Sequence, residues 1–208
     1  MDGFWKGARV KFLIVNKALP DDPQLQDFDE AIPIRHYWRS VAIFFFVVMI
    51  TVIILQLGID YTFHVNPEYS LSVFQWLAFL CVTLLLHELC HMIFLLKHWK
   101  KLYLDIQPKM LLIGFTVEDF VKRQEMLITL VAPIFFLSFV PYVVMMILRH
   151  FSMNAFIVVC LNLYISIGDI VMFSFIAKNC DRHASVHYSN GLLNIRHADH
   201  NREIHNNP

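Results

Sequence analysis

The chain has 208 residues, with 17 basic and 17 acidic side chains, so its formal net charge is zero. Hydrophobic residues make up 57% of it and charged residues only 16%, which is too apolar for an ordinary soluble domain. The absence of net positive charge argues against nucleic-acid binding, and four cysteines without a CxxC pair argue against a disulfide scaffold or a zinc ribbon. The composition therefore predicts one small membrane domain.

Residues 1–39 carry charges of both signs and are predicted to form a cytoplasmic N-terminal segment. Four apolar runs follow, and each is long enough to cross a bilayer as a helix, which takes roughly 17 to 25 residues. They cover residues 41–57, 71–96, 126–148 and 154–177. The predicted fold class is an all-α membrane protein, with four transmembrane helices within residues 40–177.

The loop at residues 97–125 contains two segments rich in residues that favour extended structure, 102–107 and 110–116. They flank Pro108 and Lys109, so we expect a small β-hairpin that offers an edge strand to an extended peptide. An interfacial re-entrant segment is the alternative.

The last segment, residues 178–208, is polar and rich in histidine. Its composition predicts a solvated, partly disordered cytoplasmic tail. A second metal site is the alternative, because His183 and His187 are four residues apart.

Sixteen of the 17 basic residues precede the first run, lie in the 97–125 loop or follow the last run. The tendency of basic loops to stay in the cytoplasm therefore predicts that both termini and this loop are cytoplasmic. We expect a multi-pass protein of the cell membrane.

Only two of the 17 acidic residues, Glu88 and Asp169, lie inside the apolar runs. A carboxylate there costs roughly 2.5 to 3.5 kcal/mol on insertion scales, so each is a candidate functional group. Glu88 belongs to the sequence His87-Glu88-Leu89-Cys90-His91, an HExxH motif. On a helix, His87 and His91 share a face and can bind one zinc ion, while Glu88 can act as a general base. The alternative is a polar cluster that seals a helix interface.

The third ligand should come from another helix at the same depth. In the fourth run, Asn162, Ser166 and Asp169 form a polar stripe on an apolar helix. Counting about 1.5 Å per residue from the cytoplasmic ends puts Asp169 at the depth of the two histidines. Asp169 is therefore the predicted third ligand, and a helix-packing carboxylate is the alternative.

Together, these residues resemble the sequence pattern of a known protein family. The HELCH motif, the Ala132-Pro133 pair, Asn162 and the Gly168-Asp169-Ile170 stretch resemble the zincin peptidase family of small four-span membrane proteins. That arrangement is in turn similar to intramembrane zinc metallopeptidases of the site-2 protease type. Two departures from the site-2 pattern are Leu163 in place of proline and a glycine that precedes the aspartate.

The resemblance implies that His87, His91 and Asp169 hold Zn²⁺ and that Glu88 is the general base. It implies that Asn162 donates a hydrogen bond to the oxyanion, with an interhelical packing amide as the alternative.

The predicted activity is hydrolysis of peptide bonds in membrane proteins or membrane-adjacent peptides, with the lipid bilayer as surroundings and no nucleic acid as partner. A non-catalytic zinc-binding scaffold or regulator and a small metal transporter are the other candidate functions. The sequence does not predict an oligomeric state.

Overall fold

A computed structural model describes residues 12–14, 30–33, 37–64, 72–107, 112–117, 119–189 and 192–197. The chain divides into two compact units. We call residues 36–91 and 130–174 the helical unit, and residues 1–35, 92–129 and 175–208 the sheet unit. The all-α membrane class and the small hairpin in the 97–125 loop, both predicted from the sequence, are confirmed in their general form.

Among the described residues, three helices are long and apolar enough to cross a membrane. The first is α1 (Tyr37–Phe63), whose 27 residues extend about 40 Å, longer than a bilayer core of about 30 Å. The second is α2 (Val73–Leu95), which a 3₁₀ turn (Leu96–Lys101) continues. The third comprises α3 (Arg123–Pro133), a π-helical segment (Ile134–Phe139) and α4 (Val140–Leu148). The protein is therefore a membrane protein.

The fourth predicted span is a bent pair of helices, α5 (Met153–Ile165) and α6 (Ile167–Asn179), which meet at 47°. If this pair is one span, the described residues contain four candidate spans, the number predicted, and otherwise they contain three. The break lies at Ser166, where the backbone leaves the regular helical conformation with φ −71° and ψ 0°. The sequence, by contrast, predicted an uninterrupted helix over residues 154–177.

The π-helical segment lies between Pro133 and Pro141. The Val140 amide donates to the Phe135 carbonyl, five residues earlier, so the turn is wider than in an α-helix. Proline lacks an amide hydrogen and its ring clashes with the carbonyl four residues before it, so a widened turn ahead of Pro141 relieves that conflict. The irregularity in the third span thus falls between its two prolines.

The core of the helical unit is apolar and draws residues from α1, α4, α5 and the start of α6. Its buried members are Val48, Ile59, Met145, Phe156, Val159, Leu163 and Ile167. Many large apolar side chains point outward instead, including Phe46 and Ile54 of α1 and Leu85 of α2. A contiguous apolar exterior of this kind is unfavourable in water and suits lipid.

The first sheet of the sheet unit contains the predicted hairpin. Strand β3 (Leu102–Gln107) pairs antiparallel with β4 (Leu112–Val117). An additional strand from the N-terminal segment, β1 (Phe12–Ile14), pairs parallel with β3, so the strand order is β1-β3-β4.

The second sheet corrects the prediction of a solvated tail. Strands β6 (Ser185–Ser189) and β7 (Leu192–Arg196) form an antiparallel pair that extends to β2 (Glu30–Pro33) and β5 (Val121–Lys122), in the order β2-β7-β6-β5. Val186, Leu193 and Ile195 are buried. The prediction is wrong for these strands because alternating apolar residues outweigh the polar composition, and residues 198–208 lie outside the described residues.

Candidate metal centre

The centre begins with one face of α2. Thr83, His87 and His91 are spaced four residues apart, so helical geometry aligns them along one side, and all three are buried. Glu88 is also buried, with 8% of its surface exposed. The HExxH motif therefore faces the interior of the helical unit and not the lipid.

Asp169 of α6 meets this face, although 78 positions separate it in sequence from His91. Its Oδ2 atom lies 3.1 Å from the Nε2 atom of His87 and 3.4 Å from the Nε2 atom of His91. The two Nε2 atoms are 3.1 Å apart. The structure thus brings together the three residues that the depth argument selected.

These three donor atoms form a triangle of the size that zinc requires. A tetrahedral zinc ion with ligands at about 2.0 to 2.1 Å holds them about 3.3 Å from one another. The observed separations of 3.1, 3.1 and 3.4 Å match that spacing. Two imidazole nitrogens and one carboxylate oxygen are also a donor set that zinc favours. The residues present therefore fit a zinc ion.

The charge balance of the helical unit points the same way. Its described residues contain two carboxylates well inside the helices, Glu88 and Asp169. They contain only two arginines, Arg39 and Arg149, and both are exposed at helix ends. A divalent cation at the triangle would compensate the negative charge that these two carboxylates place among apolar helices.

Comparison with known protein families bears directly on this arrangement. A family model described as "putative zincin peptidase" matches residues 80–183, half of the chain, and the match includes HExxH and Asp169. The chain belongs to this family. No curated protein and no solved structure matches the chain. Membership in a zincin family implies zinc, and His87, His91 and Asp169 are the group that could hold it.

Asn162 of α5 is completely buried, and it belongs to the segment that the zincin family model matches. Its Oδ1 atom is 3.0 Å from the Nδ1 atom of His87. Its Nδ2 atom donates to the Pro133 carbonyl at 2.9 Å and to the Ser138 hydroxyl at 2.8 Å. Both amide hydrogens are therefore used, and the predicted donation to an oxyanion would require one of these bonds to break.

Ser138 is a participant that the sequence analysis missed. It lies in the π-helical segment, is buried, and donates from its hydroxyl to the Val159 carbonyl at 3.1 Å. Its polarity within an apolar run was the only signal in the sequence. That signal is weak, because single serines are common in membrane helices.

Two other hydroxyls lie on these faces, since Ser166 belongs to the predicted polar stripe and Thr83 shares the α2 face with the two histidines. Thr83 and Ser166 are fully buried, and in the described part of the chain neither hydroxyl has a hydrogen-bond partner.

The histidines of the last segment do not add a second centre among the described residues. His183 is exposed, whereas His187 is buried with its Nδ1 atom 3.2 Å from the Asp119 carbonyl. Within residues that the structure describes, His87, His91 and Asp169 form the single group of three possible metal ligands.

Proposed function

We propose that this protein is an intramembrane zinc metallopeptidase that hydrolyses peptide bonds within or next to the membrane. The observation that carries the proposal is the triangle of donor atoms from His87, His91 and Asp169, with Glu88 adjacent in the sequence to His87 and also buried. A structural metal site needs ligands only. An additional carboxylate that is not part of the donor triangle is what hydrolysis requires.

Each residue has a defined part in this reaction. His87, His91 and Asp169 would hold the metal through Nε2, Nε2 and Oδ2. When bound, zinc would supply Lewis-acid polarisation and lower the pKa of water. Glu88 accepts the proton of the attacking water and then delivers it to the leaving amine. The burial of these groups keeps bulk water from competing with the substrate.

The position of these groups supports a proposal for the substrate and the topology. The buried motif is on α2, a helix long enough to cross the membrane, so we expect the substrate to be a membrane protein or a membrane-adjacent peptide. The distribution of basic residues supports cytoplasmic termini and residence in the cell membrane. A helical substrate would have to unwind first, because its peptide bonds are shielded by intrahelical hydrogen bonds.

The test is Glu88→Gln, which preserves the size of the side chain and removes its ability to accept a proton. Membrane proteomes would be compared between deletion cells that produce the wild-type protein, Glu88→Gln or His87→Ala. We expect fragments of membrane proteins to disappear in both variants, since a lost general base lowers the rate by about 10²-fold to 10⁴-fold. Zinc content of purified Glu88→Gln should stay at the wild-type level, because the three ligands remain.

Asp60→Asn is the matched control, since it makes the same chemical change on α1, where Asp60 accepts a hydrogen bond from Gln56. It should leave the fragments unchanged. Should Glu88→Gln retain zinc and produce every wild-type fragment, the protein is a zinc-binding scaffold or regulator and not a peptidase.

A further inference from the structure

We propose that Asn162 is a positioning residue for the metal centre, because its amide fixes the tautomer and orientation of the His87 ring. Two groups of the third span, the Pro133 carbonyl and the Ser138 hydroxyl, in turn fix the amide. The inference rests on the metal site of the proposed function and adds residues outside HExxH and Asp169 to it.

The neighbours of Asn162 determine which end of its side-chain amide is the NH₂ group and which is the oxygen. The Pro133 carbonyl can only accept a hydrogen bond, so the group 2.9 Å from it must be the NH₂ end of Asn162. Ser138 gives the same answer independently. Its one hydroxyl hydrogen goes to the Val159 carbonyl, so towards Asn162 it acts as an acceptor.

The direction of the amide then determines the protonation pattern of His87. With both Nδ2 hydrogens committed, the Oδ1 atom of Asn162 is the end that faces Nδ1 of His87, at 3.0 Å. An amide oxygen can only accept, so Nδ1 must carry a hydrogen. In the neutral imidazole, Nε2 is then the atom with a free lone pair. That is the atom 3.1 Å from both Oδ2 of Asp169 and Nε2 of His91.

Burial makes this arrangement specific. Asn162 and His87 are 0% and 3% exposed, so water does not compete for the amide or for Nδ1. A buried amide that rotated by half a turn would place its NH₂ group against the His87 ring and its oxygen against the Pro133 carbonyl. The rotated amide would lose its hydrogen bond to the Pro133 carbonyl and bring two oxygen atoms together, so the rotated state is strongly disfavoured.

The π-helical segment has a part in this chain of contacts. Pro133 is the residue just before the segment and Ser138 lies within it, so the wide turn presents a carbonyl and a hydroxyl to the same amide. Restoring regular α-helix there would change the position of Ser138 relative to Pro133. The irregularity therefore supports the metal ligand and does not merely accommodate Pro141.

The experiment compares Asn162→Leu with Asn154→Leu, which makes the same substitution at an exposed position on the same helix. Zinc affinity would be measured by chelator competition on the purified full-length protein. Loss of a partner that orients a metal-bound histidine typically weakens binding by about 10-fold to 100-fold, which we expect for Asn162→Leu. Asn154→Leu should bind zinc as the wild type does.

Ser138→Ala provides a milder variant in case Asn162→Leu does not fold. It removes one of the two acceptors of the amide and leaves Pro133 in place, so we expect about a fivefold loss of zinc affinity, the equivalent of one hydrogen bond. Cobalt-substituted protein gives a second readout, because its visible absorption bands report ligand geometry. The bands should shift in Asn162→Leu and Ser138→Ala and stay unchanged in Asn154→Leu.

A metal-independent measurement separates this inference from the proposed function. In metal-free protein with ¹⁵N-labelled histidine, the His87 resonance, assigned by its absence in His87→Ala, should report hydrogen on Nδ1 in the wild type and lose that preference in Asn162→Leu. Unchanged zinc affinity, cobalt spectrum and tautomer in Asn162→Leu, with only a lower melting temperature, would overturn the inference and leave the proposed peptidase standing. Conversely, if the wild-type protein binds zinc and shows the Nδ1 tautomer while Glu88→Gln still produces every wild-type fragment, the peptidase alone would be overturned.

Discussion

Helices α1 and α2 are both long and apolar, yet their polar residues have different kinds of partner. On α1, Thr51 donates to the Val47 carbonyl and Gln56 to Asp60, so these polar groups are satisfied within one helical turn. On α2, His87 contacts Asn162 of α5 and Asp169 of α6. In a membrane helix, a polar group with partners on other helices is therefore a better candidate for a functional site than one satisfied within its own helix.

The largest effect is expected from breaking the α2 arrangement at its ligands. Asp169→Ala should reduce zinc from about one ion per chain to a small fraction, because a two-ligand site cannot retain zinc against a chelator. The loss should exceed that of Asn162→Leu, which leaves all three ligands in place. Metal analysis of purified protein measures it, with Asp60→Ala on α1 as the control. Full zinc occupancy in Asp169→Ala would mean that the third ligand is another residue.

A second prediction tests whether the apolar face of α1 meets lipid. Ile50, near the middle of α1, is 54% exposed, and Trp38, near its start, is 59% exposed. Arginine at the centre of a span opposes insertion by about 2.5 to 3.5 kcal/mol, whereas near the end its side chain reaches the interface. Ile50→Arg should therefore reduce membrane integration of α1, and Trp38→Arg should not, as measured by resistance to alkaline extraction. Equal integration of the two variants would contradict a spanning α1.

The smallest effect is expected where polar groups are satisfied locally. Thr51→Val removes a hydroxyl that bonds only within α1, and valine has nearly the same shape, so stability should change by less than about 0.5 kcal/mol. Thermal unfolding in detergent, with Ser138→Ala as the comparison, checks the difference between local and interhelical partners. A larger loss in Thr51→Val than in Ser138→Ala would contradict the distinction.

Much of this organisation could be predicted from the sequence, because it depends on signals within short segments. The length of the apolar runs located the membrane helices, and extended-favouring residues on either side of Pro108 predicted the hairpin. The juxtaposition of Asp169 with His87 and His91 followed from depth alone, since helical rise is nearly constant.

The parts that could not be predicted depend on tertiary contacts. The direction of the Asn162 amide depends on Pro133, 29 residues away in the chain, and nothing near Asn162 encodes it. The break at Ser166 could not be predicted from a proline, because no proline lies near it in the sequence. The strands β6 and β7 did have a local signal, the Asn190-Gly191 pair between alternating apolar residues, which is typical of a hairpin turn. The histidine-rich composition of that segment favoured the wrong interpretation.

The bend between α5 and α6 has an electrostatic consequence for Asp169. Because the helix restarts at Ile167, the aspartate lies in the first turn of a new helix and not in the middle of a long one. The aligned peptide dipoles of α6 therefore direct their positive end towards its carboxylate, an effect of about 0.3 to 1 kcal/mol at a surface and up to ~2 kcal/mol in partly buried positions. In a straight helix through residues 154–177 the same side chain would have no such field. The bend thus lowers the energy of holding an anion at membrane depth before any cation arrives.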